Sequence, residues 1–180
     1  MIDFAGKVLV VVDMESSSGY RRSMTEEQLK TVEALIREAV EAFNVAAIES
    51  DGFEADDIIA TLANEGARQG MDVVIVSSDK DLMQLVRPGI EMFDPMKDTP
   101  IRDAEVRAKF GVGPEKVIDI QSLAGDSTDN VPGVPGIGIK TAAELINTYG
   151  DLDTLLARAS EIKQPKRRES LLANAVMARI

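Results

Sequence analysis

Apolar positions in the first hundred residues alternate between short β-branched runs and stretches with helical spacing. Such runs, bounded by turn residues, are typical of strands. They predict strands at 7–13, 73–76 and 90–93, and a weaker one at 45–48. All of these lie in the first hundred residues, so any sheet is expected there.

Between the runs, apolar residues three and four positions apart predict helices at about 23–43, 55–69 and 79–86. Ser23 or Thr25 is a suitable cap for the first, Gly70 closes the second and Asp79 opens the third. This alternation favours an α/β fold with a parallel sheet covered by helices on both faces. After about Thr99 only helices and Gly- and Pro-rich turns are expected. We therefore predict an α/β domain at 1–113 and a helical lobe at 114–180.

Acidic residues recur where a strand or an apolar stretch gives way to a loop or helix. In a parallel sheet these positions meet at the crevice where ligands bind. Carboxylates that converge there repel one another unless a positive charge lies between them. The chain has no His and no Cys, so oxygen ligands favour Mg²⁺ or Mn²⁺ over zinc. The candidate metal ligands are Asp13, Glu54, Asp56, Asp57, Asp79, Asp81, Asp126 and Asp129.

Helix capping is the simpler interpretation of these acids, and each cap or dipole contact is worth about 0.3–1 kcal/mol. One Asp is enough to cap a helix, whereas residues 54–57 include three acids. Likewise, Asp79 alone would cap the next helix, so capping does not explain Asp81. Glu54 and Asp57 also share one face of the predicted helix. The doubled acids therefore favour a functional site over caps alone.

A glycine-rich segment follows Asp126 and Asp129 and leads into a helix that begins near Lys140. A helix start offers unpaired amides and a positive dipole end, which suit a phosphate. The order of a nucleotide P-loop is absent, so we expect this loop to bind a polymer backbone. The candidate contacts are Gly133, Gly136, Gly138, Lys140 and Thr141.

The formal net charge is −11, but six basic residues face only two acidic ones from Leu155 onward. A solvated helix end and a patch that contacts a nucleic-acid backbone both account for the basic run at 163–168. The absence of Cys fits a reducing compartment. No apolar run approaches the roughly 20 residues of a membrane span, so a soluble cytoplasmic protein without a membrane partner is expected.

Three segments, 52–59, 78–82 and 125–141, together resemble the 5′-nuclease domains of bacterial DNA polymerase I, which belong to the flap-endonuclease family. The resemblance implies a PIN-like sheet followed by a helix-hairpin-helix lobe centred on 133–140. It implies that this lobe binds duplex phosphates with the help of K⁺. It also implies that the acids from Glu54 to Asp129 named above are metal ligands.

The N-terminal part departs from this family. Family members carry two further strand-end aspartates on separate strands and a helical arch that threads the 5′ single strand. Here only Asp13 precedes Glu54, and it can stand for either family strand. The basic pair Arg21 and Arg22 is similar to the arch residues that orient the phosphate. The chain resembles the family with an internal stretch removed, by natural deletion or by engineering.

The resemblance implies a metal-dependent 5′-nuclease, of the 5′-3′ exonuclease or flap-endonuclease type, that acts in replication and repair in the bacterial cytoplasm. Its expected substrate is 5′-flap or nicked duplex DNA, its cofactors two Mg²⁺ or Mn²⁺ ions, and its parent protein includes a covalently linked polymerase. Asp13, Arg21 and Arg22 are the expected catalytic residues. The alternative is an impaired or minimal version that binds DNA or metal without cleavage, because one aspartate and most of the arch are missing.

Overall fold

A four-stranded mixed sheet forms the first half of the fold. The computed structural model describes residues 8–12, 24–127 and 129–179. The strands, in the order in which they lie in the sheet, are β1 Val8–Val12, β2 Asp72–Val76, β3 Ile90–Asp94 and β4 Thr99–Ile101. The first three are parallel and β4 is antiparallel to β3. The strands predicted at 7–13, 73–76 and 90–93 are thereby confirmed.

Two strand predictions were wrong. Residues 45–50 form no strand, and the side chains of Val45 and Ile48 are 57% and 55% exposed, so this apolar run has no sheet to pack on. Conversely, β4 was missed, and the sheet is mixed where a parallel one was expected. Pro100 weakens the strand signal, yet a proline is tolerated in an edge strand.

A tight turn explains why β4 runs antiparallel. The buried carboxylate of Asp94 accepts the backbone N–H groups of Met96 and Lys97 at 3.0 and 3.2 Å. The Lys97 ammonium also donates to it at 2.7 Å. These three bonds satisfy a carboxylate that would otherwise be costly to bury. They reverse the chain after β3, which lets Thr99–Ile101 pair with the strand just completed.

The helices of the first half differ in how well they are packed. Helix α1 (Glu26–Ala42) begins at Thr25, whose hydroxyl accepts the N–H of Gln28 at 3.3 Å, and no residue of α1 is buried among the described residues. Helix α2 (Ala55–Arg68) buries Ile59 and packs on β1 and β2. The helix predicted at 79–86 is a five-residue 3-10 helix, Asp81–Leu85.

The second half is helical, as predicted. Helix α4 (Val117–Ala124) packs on α5 (Ile139–Tyr149), and α5 packs on α6 (Leu152–Ala157). The loop between α4 and α5 carries the second group of candidate residues. The α-helices are α3 Asp103–Phe110, α4 Val117–Ala124, α5 Ile139–Tyr149, α6 Leu152–Ala157 and α7 Pro165–Ala173, with 3-10 turns at Pro114–Lys116, Ala159–Glu161 and Met177–Arg179.

One continuous core joins the two halves. Ile75 and Met92 from the sheet belong to the same buried apolar cluster as Ile120, Leu123 and Leu155 from the helices. The division near Gly113 stays a prediction, since the buried side chains form a single group across it. In the described part of the chain, no helix has the length and apolar character needed to cross a membrane.

Candidate metal centre

Three of the predicted ligands converge in space. One carboxylate oxygen from each of Asp81, Asp126 and Asp129 lies within 4.8 Å of the other two. Asp81 begins the 3-10 helix that follows β2, and the other two lie in the loop between α4 and α5. A set of carboxylate oxygens alone is the donor chemistry that Mg²⁺ and Mn²⁺ prefer. The residues present therefore fit a hard divalent ion.

Two glycines shape the loop that carries Asp126. The N–H of Asp126 donates to the carbonyl of Val131 and the N–H of Val131 donates back, both at 2.8 Å. Gly125 and Gly133 flank this pair with φ of +75° and +63°. A Cβ on Gly133 would lie 2.7 Å from Cα of Gly125. The backbones approach so closely that a side chain at this position has no room.

Asp79 is used for turn formation at the end of β2. The buried hydroxyl of Ser77 accepts the N–H of Asp79, and Oδ1 of Asp79 accepts the N–H of Asp81, each at 2.9 Å. The N-cap of the 3-10 helix is Lys80, so the prediction that Asp79 caps it is wrong by one residue, but the bond from Asp81 to Asp79 fixes the backbone from which Asp81 projects. Asp79 also lines a shallow pocket with Ser78, Lys80 and Lys109.

A glutamine from helix α4 reaches the same centre. Nε2 of Gln121 donates a hydrogen bond to Oδ1 of Asp81. Gln121 lies one turn before the loop that carries Asp126, so α4 contributes both a bond to one ligand and the attachment point of another. This contact spans 40 positions in sequence, and the sequence pattern contains no signal for it.

Lys80 supplies positive charge to the centre. Its Nζ lies 3.6 Å from Oδ1 of Asp81 and 3.8 Å from Oδ2 of Asp129, and it forms an ion pair with Asp126. Burial opposes the charge on Lys80, but the hydrogen bond to Asp126 and the surrounding carboxylates outweigh it and raise the pKa of the ammonium. Burial, together with the nearby charges of Asp81 and Asp126, raises the pKa of Asp129.

The predicted acids at the start of α2 lie outside this group. The Glu54 N–H donates to Oδ2 of Asp57 at 3.3 Å, which caps the helix. Within the described part of the chain, the group of convergent carboxylates contains none of Glu54, Asp56, Asp57 and Asp79. Their role as ligands therefore stays a prediction, as does that of Asp13. Asp13, Arg21 and Arg22 lie outside the described residues.

The glycine-rich loop presents open backbone next to the start of α5. No atom lies within 4 Å of the Cβ position at Gly136 or Gly138, in contrast to Gly133. Gly138 is the N-cap and provides no side chain to the first turn, and Lys140 is exposed there. Thr141 follows it, partly buried. The geometry leaves the first amides of α5 accessible to a phosphate.

Several basic residues of the C-terminal segment are paired with acids. Arg158 contacts Glu161 at 2.7 Å, and Arg179 contacts Asp153 at 3.0 Å. These pairs reduce the positive charge available to a nucleic acid and favour a solvated surface for this part of the segment. Lys163 and Lys166 are exposed, as expected of either interpretation.

Two family models divide the chain between them. The model described as 5′-3′ exonuclease, N-terminal resolvase-like domain, matches residues 13–111. The model described as 5′-3′ exonuclease, C-terminal SAM fold, matches residues 112–180. The chain belongs to the 5′-3′ exonuclease family. The resemblance drawn from the three sequence segments is thereby confirmed.

Relatives of this exonuclease-family chain include a DNA polymerase I and a 5′-3′ exonuclease. It is 59% identical over 168 residues to DNA polymerase I of Rhizobium leguminosarum, covering 93% of the chain and 16% of that protein. It is 39% identical over 136 residues to a 5′-3′ exonuclease of Aquifex aeolicus (strain VF5), covering 76% of the chain and 47% of that protein. The chain therefore spans less than half the length of these relatives.

A solved structure with the same fold is the bacteriophage T5 flap endonuclease, in a pseudo-enzyme-product complex with DNA and metal ions. The TM-score is 0.72 at 19% identity, covering 95% of this chain and 69% of that one. The predicted fold class, a PIN-like sheet flanked by helices and followed by a helical lobe, is confirmed for this exonuclease-family chain. The antiparallel β4 is the one change to it.

Proposed function

We propose that this chain is a divalent-metal-dependent 5′-nuclease that hydrolyses phosphodiester bonds in structured DNA. The observation that carries the proposal is the convergence of Asp81, Asp126 and Asp129 in a chain of the 5′-3′ exonuclease family. The T5 flap endonuclease was solved with DNA and metal ions on the same fold, which supports both ligands.

The three convergent carboxylates would hold the metal. Mg²⁺ or Mn²⁺ bound there supplies an activated water and offsets charge on the scissile phosphate. Gln121 fixes the orientation of Asp81 through its side-chain amide. A second ion is part of the proposal, with Asp13, Glu54, Asp56, Asp57 and Asp79 as its candidate ligands, and Arg21 and Arg22 as the residues that orient the phosphate.

The loop between α4 and α5 would bind the DNA backbone at a position remote from the phosphate that is cleaved. The open backbone at Gly136 and Gly138 and the exposed Lys140 suit a duplex phosphate, with K⁺ as an additional ligand of the loop. The proposed substrate is a 5′-flap or nicked duplex in the bacterial cytoplasm. Because the Rhizobium relative is a DNA polymerase I, a covalently linked polymerase is proposed for the parent protein.

Cleavage of a 5′-flap DNA with Mn²⁺ tests the proposal. We expect Asp126→Asn to lower the rate at least about 100-fold, equivalent to about 2.7 kcal/mol of transition-state stabilisation. Asp153→Asn removes an exposed carboxylate from α6 and should leave the rate unchanged. Duplex affinity should also fall when EDTA removes the ion, because metal offsets the local negative charge.

A second candidate is a module that binds DNA or metal without cleavage. Only three of the predicted ligands converge among the described residues, and a lysine lies among them, which favours this alternative. Equal background cleavage by the parent and by Asp126→Asn would support the binding module. A rate that depends on Asp126 and on Mn²⁺ would support the nuclease.

A further inference from the structure

One ammonium group contacts every carboxylate of the convergent cluster. Lys80 Nζ is ion-paired with Asp126 and lies 3.6 and 3.8 Å from oxygens of Asp81 and Asp129. The same three residues provide the oxygens that lie within 4.8 Å of one another. The ammonium thus lies where the three carboxylates converge, which is also where a divalent ion would be held.

The chain positions this lysine with little freedom in its backbone. Lys80 is the N-cap of the 3-10 helix that follows β2, and the hydrogen bonds of Asp79 hold the turn around it. The Lys80 side chain is 33% exposed and that of Asp126 only 8%. An ion pair this sheltered is screened less by salt than a surface pair.

We propose that Lys80 is an internal competitor of the divalent ion and thereby sets the metal affinity of the centre. An ammonium and a divalent cation repel each other strongly at about 3–4 Å separation, because the Coulomb energy scales inversely with distance. Metal binding must therefore displace the ammonium from the carboxylates. The inference rests on the metal site of the proposed function, but it does not depend on cleavage.

The displaced side chain has a nearby place to go. Lys80 also lines the shallow pocket formed with Ser78, Asp79 and Lys109. The lysine side chain has a flexible four-carbon stem, so its ammonium can leave the cluster without a change in the backbone. Because Lys80 is covalently attached beside the site, it competes at a high effective concentration whatever the metal concentration in solution.

Isothermal titration calorimetry tests the proposal: the intact chain is titrated with MnCl₂ or MgCl₂ in the absence of DNA. We expect Lys80→Met to bind Mn²⁺ about tenfold more tightly than the parent, which corresponds to about 1.4 kcal/mol. Before metal is added, the variant should melt at a lower temperature, because three carboxylates lose their counter-charge. Its melting temperature should then rise more on addition of Mn²⁺ than that of the parent.

Three further variants show whether the effect arises at the cluster. Lys163→Met removes the same charge from an exposed position and should change Mn²⁺ affinity less than about twofold, as expected for a distant, screened charge. Lys80→Arg keeps the positive charge and should not tighten binding. Adding Asp126→Asn to Lys80→Met should abolish the gain. If Lys80→Met does not give a folded circular dichroism spectrum, Lys80→Gln takes its place.

The outcomes separate this inference from the proposed function. If the parent binds Mn²⁺ and Lys80→Met binds it with equal or lower affinity, Lys80 is not a competitor, and the metal-dependent nuclease stands. If neither the parent nor Lys80→Met binds Mn²⁺ or Mg²⁺, the metal site itself is absent and both proposals fail. Tighter binding by Lys80→Met alone supports the inference.

Discussion

Replacing Gly133 by alanine tests how the acidic loop is built. Gly133 has φ of +63°, a conformation that an alanine adopts at a cost of about 1–2 kcal/mol. Its Cβ would also lie 2.7 Å from the carbonyl carbon of Ala124 and from Cα of Gly125. These are backbone atoms, which cannot rotate away as the end of a side chain can.

The two effects give the expected magnitude. Forcing an extra carbon into a packed site costs about 1–3 kcal/mol, so Gly133→Ala should lose about 2–5 kcal/mol of unfolding free energy when the conformational cost is included. Gly136→Ala is the matched control, because its φ is +81° and no atom lies within 4 Å of its Cβ position. The control should lose only about 1–2 kcal/mol.

Urea unfolding of the two variants separates the contact from the backbone strain. The difference between them, about 1–3 kcal/mol, is the part due to the approach of Gly133 to Gly125. Gly133→Ala should also weaken Mn²⁺ binding, because the hydrogen-bonded pair Asp126–Val131 lies between Gly125 and Gly133. Gly136→Ala should leave Mn²⁺ binding unchanged. Equal losses of stability in the two variants would show that the close approach is not real.

Three further predictions concern other parts of the chain. Burial opposes the charge on Asp94, but Lys97 and two backbone N–H groups outweigh it and lower the pKa of this carboxyl. The stability that the Asp94 carboxylate contributes is therefore present above the ordinary carboxyl pKa of 3.8 and is lost as the pH falls through the lowered value. Asp94→Asn should lose about 1–3 kcal/mol at pH 7, and urea unfolding at several pH values should show this difference shrinking below about pH 4. Gln121→Leu should weaken Mn²⁺ binding about five- to tenfold by calorimetry, because the bond to Asp81 is lost. Lys140→Ala should weaken duplex binding by similar factors for different DNA sequences and reduce the slope of log affinity against log salt by about one, as measured by fluorescence anisotropy.

Sequence patterns predicted most of the fold because its main elements carry strong local signals. β2 and β3 are apolar runs that match the predicted positions, and α1 begins at the Thr25 capping box. The prediction of a strand at 45–48 was wrong because an apolar run forms a strand only where a neighbouring strand is available to pair with it, and Val45 and Ile48 are exposed. β4 was missed because its pairing depends on the Asp94 turn, which a local pattern does not reveal.

The site was only partly predictable from sequence. Acid spacing indicated Asp81, Asp126 and Asp129, and the structure brings these three together. It did not indicate Gln121, whose bond to Asp81 depends on how α4 packs against the 3-10 helix that begins at Asp81. Lys80 is visible in the sequence between two aspartates, but a local pattern does not reveal where a long side chain points, so it does not indicate that this ammonium pairs with Asp126.

The convergent carboxylates come from both sides of the junction between the two family segments. Asp81 belongs to the segment matched over 13–111, whereas Asp126 and Asp129 belong to the segment matched over 112–180. Neither segment produced alone would contain the three-oxygen group. An ion bound there would be coordinated by both segments and would link them. A chain cut at the junction should therefore reassemble more readily in Mn²⁺ than in EDTA.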